Sequence, residues 1–79
     1  MPAPRPPRPI EDHCEYLPES CRQRWAELLA ERRTARAEDD REEAARLLGF
    51  GLGFVKALYL TGQINITARD DLQAALIAA

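Results

Sequence analysis

The stretch from Leu47 to Leu60, Leu-Leu-Gly-Phe-Gly-Leu-Gly-Phe-Val-Lys-Ala-Leu-Tyr-Leu, constrains what the rest of this chain can do. It contains both phenylalanines, and glycine recurs in it at every second position from 49 to 53. Wound at about 100° per residue, Ala44, Leu47, Leu48, Gly51, Val55, Leu58 and Tyr59 fall on one side, and Phe50, Phe54 and Ala57 on a neighbouring one. Only Gly49, Gly53 and Lys56, with Arg46 above them, are left for water, so such a helix has to be covered on several sides. A glycine inside a helix costs about 1 kcal/mol relative to alanine, and close approach of another backbone is the physical reason to accept that cost. Gly49 and Gly53 lie four apart on one face, the spacing that lets two helices cross tightly.

Two other readings of this run fail. A membrane-spanning helix needs about 20 apolar residues, whereas this run is shorter, contains Lys56 and follows the charged segment from Asp39 to Arg46. A phosphate-binding loop needs a Lys-Ser/Thr ending and a preceding strand, or the dinucleotide glycine spacing, and none of these is present. Charge excludes little more: Lys plus Arg number 11 against 13 Asp plus Glu, so no global field draws nucleic acid or an acidic membrane. With 79 residues and a proline-rich start, the foldable part is near the size at which one core is only marginally stable.

In chain order, residues 1–17 read as a Pro/Arg-rich arm in polyproline II geometry followed by an acidic linker, Ile10 to Leu17, whose Ile10, Tyr16 and Leu17 can fold back onto helices. Residues 18–79 read as one small helical domain. Pro18 suits the first position of a helix, and Cys21, Trp25, Leu28, Leu29 and Ala35 form its apolar stripe as far as about Ala37. Arg32 falls inside that stripe and must snorkel or find a carboxylate, with the acids from Asp39 to Glu43 as candidates. Ten of the thirteen residues from Glu31 to Glu43 are charged, which rules this part out of the core. Asp39 with Glu42, and Asp40 with Glu43, have capping-box spacing, so the chain is expected to turn near Glu38 to Asp40. A second helix then runs from about Asp40 to Thr61, supported by a Glu42–Arg46 pair and ended by Gly62. Thr67 is the expected cap of a short third helix with Leu72, Ala75, Leu76 and Ala79 inward. The fold class is therefore all-α: an antiparallel helical hairpin plus a short third helix, preceded by the extended arm.

Chemistry is sparse. His13, Cys14 and Cys21 could ligate zinc, but the paired close spacing of zinc sites is missing, so no metal or other cofactor is expected. His13 and Cys14 are adjacent, with no orienting group or oxyanion donor to name, and the chain is read as no enzyme. The two cysteines are expected as free thiols in a cytoplasmic protein, the opening residues having no apolar signal region. Arg22, Arg33 and Arg36 form a basic stripe on the first helix, which makes a DNA-associated regulator the alternative reading. Acids flank that stripe, and the helix-turn-helix-like segment from Lys56 to Leu76 opens its second helix with Arg69-Asp-Asp, so nucleic acid is disfavoured.

The remaining feature is surplus apolar surface, because two neighbours cannot cover the central helix on all sides. Such surface marks a protein partner, and a homodimer is the commonest way to hide it. Trp25, Phe50, Phe54 and Tyr59, with Arg22, Arg33 and Arg36, are the residue types that dominate such contacts. In size and style alone, a short acidic chain with no cofactor site is similar to small phage or mobile-element proteins, such as anti-CRISPR inhibitors, that block or adapt a host complex. That resemblance implies action by steric occlusion.

Overall fold

The computed structural model describes residues 15–79, which form three helices: α1 (Glu19–Ala37), α2 (Arg41–Leu60) and α3 (Ile66–Ala78). The polyproline arm, Ile10, His13 and Cys14 lie outside the described residues. The class is all-α, a helical hairpin followed by a short third helix, with α2 packed against both α1 and α3.

Local chemistry sets each boundary. Pro18 is the residue before α1 and not its first turn: its ψ of 143° is extended, and its carbonyl accepts from Cys21 N at 2.9 Å. Leu17 folds back and is 2 % exposed, so the described end of the linker contributes its side chain to the core. At the other end of α1, Asp39 N donates to Arg36 O and Asp40 N to Ala35 O, the paired bonds of a Schellman turn. Asp39 holds the left-handed position, with φ of 56°, that glycine ordinarily fills. Asp40 then caps α2, its side chain accepting from Glu43 N at 3.2 Å. The chain thus turns where the acid pairs place the turn. The Glu43 carboxylate does not return to the cap. It takes Arg46 Nε at 2.8 Å, so Arg46 pairs with Glu43 and not with Glu42.

Gly62, with φ of 77°, ends α2 in a second Schellman turn: Gly62 N donates to Tyr59 O and Gln63 N to Leu58 O. Asn65, not Thr67, caps α3, accepting from Ala68 N at 2.8 Å. The helix starts earlier because Ile64 is buried and seats the chain ahead of the cap.

The core is built from one stripe on each helix. Trp25, Leu28 and Leu29 of α1, Leu47 and Val55 of α2, and Leu72 and Leu76 of α3 are all essentially inaccessible. At the centre sits Gly51: a methyl group there would run into both methyls of Leu76 and lie 3.0 Å from Leu28 Cδ2. This is the one place in α2 where glycine is demanded by packing, and leucine side chains, not a second backbone, make the demand. The expectation of a tight crossing at Gly49 and Gly53 is not met among the described residues, where a methyl at either would meet nothing within 4 Å.

Candidate functional site

Two features stand out from the packed interior. The first lies where the hairpin turn meets the end of α3. Arg32, 7 % exposed, is the buried charge among the described residues. It finds no carboxylate: Nε donates to Leu76 O at 2.8 Å, Nη1 to Ala44 O at 2.7 Å and Nη2 to Ile77 O at 3.3 Å. One turn further on, Arg36 Nη1 donates to the main-chain oxygens of Ile77, Ala78 and Ala79. The last carbonyls of a helix have no partners of their own, and α3 carries no basic residue in its final turn. Two arginines of α1 supply the missing donors and fasten α3 to the hairpin. Burial, and then the neighbouring Arg36, lowers the pKa of the Arg32 guanidinium, which nonetheless stays charged.

Beside this clamp is an open cleft of about 520 Å³ lined by Arg36, Asp39, Asp40, Arg41, Leu48 and Ile77 among others. Its charges are mixed and mutually engaged, Arg41 lying 3.7 Å from Asp39. No group of three metal-ligating side chains occurs among the described residues, and Cys21 is a half-buried free thiol packed against the core. The His13–Cys14–Cys21 constellation has two members outside the described residues.

The second feature is the outer strip of α2. Burial divides this helix sharply. Ala44, Leu47, Gly51, Val55 and Leu58 face inward, whereas Glu42, Arg46, Gly49, Phe50, Gly53, Lys56, Ala57 and Leu60 are all exposed. Phe50 is 49 % exposed and Leu60 69 %, on a helix whose other large apolar side chains are wholly or partly covered.

The residues expected at a partner contact are distributed as follows. Phe50 is on the surface, with the Arg24 guanidinium 5.4 Å from its ring centroid. Phe54 is half-buried and stacks on Trp25, centroids 6.3 Å apart at 18°. Tyr59 is half-buried beneath Arg69, whose guanidinium sits 4.7 Å from its ring. Trp25 itself is fully enclosed, and burial makes it a core residue instead of a contact residue. Its indole N–H has no acceptor, a cost offset by the large apolar area the ring buries.

The arginines of α1 do not form a free basic stripe. Arg22 donates to Leu17 O at 3.2 Å, Arg33 is half-buried and engaged, and Arg36 holds α3. Arg24 lies within 3.6 Å of Glu27 and Glu31. The clamp is what sequence reasoning missed: the apolar neighbours of Arg32 signalled burial, but a backbone acceptor on another helix leaves no mark in side-chain spacing.

Fold and surface together define a small helical protein that, among the described residues, exposes Phe50 and Leu60 on the outer strip of α2, with Ile66 and Ile77 exposed on α3. No family model matches the chain, and no curated protein or solved structure matches it significantly. No helix among the described residues is long and apolar enough to cross a membrane.

Proposed function

We propose that the chain is a non-enzymatic protein-binding module, possessing in the outer strip of α2 a face that works by occupying another protein surface. The single observation carrying this reading is the coincidence, on one helix face, of exposed Phe50 and Leu60 with two helical glycines that have only open space around them. Inside a helix those glycines are unfavourable by about 1 kcal/mol each, and nothing among the described residues offsets the cost. A flat, low-relief surface flanked by an aromatic and a leucine is suited to another polypeptide packed close to the backbone. Self-association into a homodimer is the simplest form of this function. Steric inhibition or adaptation of a host complex, in the manner of small mobile-element proteins, is the biological role that fits a module with no chemistry of its own.

The test is a Phe50→Asp, Leu60→Asp double variant used as bait beside the wild type, with a differently tagged copy of the chain included in the lysate. Both baits should give the same circular dichroism, because both positions face solvent. The wild type should retain polypeptide, its own second copy included, and the variant should lose it. Equal retention by both baits defeats this assignment.

A further inference from the structure

Charge on the outer strip singles out one occupant. Among the described residues, Lys56 is the only cation without an intramolecular partner, every arginine being engaged by a carboxylate, a carbonyl or a neighbouring group. Glu42 is also exposed, and it too makes no contact with another charge among the described residues. Glu42, Gly49 and Lys56 are spaced seven and seven, so they follow one line along α2 that drifts about 20° per heptad. A line of that pitch meets a copy of itself at a shallow crossing of about +20°.

We infer that a second copy of this chain covers the strip from Glu42 to Lys56, the two α2 helices running antiparallel with the twofold axis at Gly49. This rests on the reading of the strip as a protein-binding face. In this register Glu42 of each copy lies opposite Lys56 of the other, about 10 Å along the helix on either side of the axis, and Gly53 receives Ala45 of the second copy. Phe50 flanks the crossing. The alternatives set like charges together. A parallel pair places Lys56 on Lys56 and Glu42 on Glu42, and an antiparallel pair with Gly49 opposite Gly53 brings Arg46 onto Lys56. The chosen register leaves Arg46 its own carboxylate, Glu43, at 2.8 Å. One isologous contact thus answers both unexplained glycines and pairs the unpartnered cation twice.

The register is tested by light scattering at low ionic strength on the wild type, Glu42→Lys, Lys56→Glu and an equimolar mixture of the two variants. The wild type should dimerise. Each variant alone, carrying two like-charge contacts, should dimerise on the order of tenfold more weakly. The mixture should recover wild-type affinity within about twofold, since both contacts become opposite-charge again. A wild type that stays monomeric at every concentration overturns the second-copy assignment. If the Phe50→Asp, Leu60→Asp bait still loses a host polypeptide in that case, the binding face stands and its occupant is a different protein. A wild-type dimer with the variants unaffected alone and unchanged on mixing overturns the register.

Discussion

Arg32 shows what a buried charge needs. Its three donors reach carbonyls on two helices at 2.7–3.3 Å, and only a planar guanidinium can serve Leu76, Ala44 and Ile77 from one position. Lysine carries the same charge as a point and has no fork, so Arg32→Lys should destabilise the fold by about 2–4 kcal/mol, read from the urea midpoint. An equal midpoint in the two proteins would show that the clamp contributes nothing. The exposed Glu43–Arg46 pair is the weaker counterpart. Hydrogen bonding to Arg46 holds the Glu43 carboxyl below its usual pKa, against a smaller opposing effect of burial. Its stabilisation is therefore complete above the ordinary carboxylate range and fades as the pH falls through the lowered folded value. At this scale the sequence is only partly legible. The position of Arg32 in an apolar stripe announces a buried guanidinium, but its acceptors are main-chain oxygens 12, 44 and 45 residues away, which carbonyl chemistry common to every residue cannot advertise.

The three glycines of α2 carry opposite physical roles on one element. Gly51 faces the methyl groups of Leu28 and Leu76, each side chain at most 1 % exposed, so making room for a methyl means repacking the core. Gly51→Ala should cost about 1–2 kcal/mol net, because overpacking outweighs the gain in helix propensity. At Gly49 and Gly53 an added methyl enters open space, so Gly49→Ala and Gly53→Ala should each stabilise the monomer by about 0.5–1 kcal/mol. Urea titration at a low protein concentration, where association is negligible, reads all three signs, and a stabilised Gly51→Ala would contradict the packing described. Helix existence, the turn at Glu38 to Asp40 and the inner face of α3 follow directly from periodicity and capping chemistry. Which glycine is wedged and which is free does not, because that depends on where Leu76 arrives from a helix 25 residues further along. The cap of α3 is not legible for a similar reason: Asn65 and Thr67 are both good caps, and the burial of Ile64 decides between them.

On the scale of the whole molecule, a chain this short with Phe50 and Leu60 left outside has little margin of its own, and association is one way to enlarge it. Anything that binds the folded state alone raises apparent stability by mass action, and for a self-associating protein the ligand is the protein itself. The thermal midpoint of the wild type should therefore climb with concentration. A hundredfold excess over the dissociation constant adds about 2.7 kcal/mol, or on the order of 10 °C for a domain of this size. The Gly49→Ala, Gly53→Ala double variant separates the two contributions of the strip. Its methyl groups favour the isolated helix and hold a second helix away, so its midpoint should begin above the wild type in dilute solution and then stay flat, the two curves crossing as concentration rises. Calorimetry across a hundredfold range of concentration checks this. Parallel curves, with the variant higher throughout, would mean that the glycines serve no contact between copies and that the strip is no self-association surface.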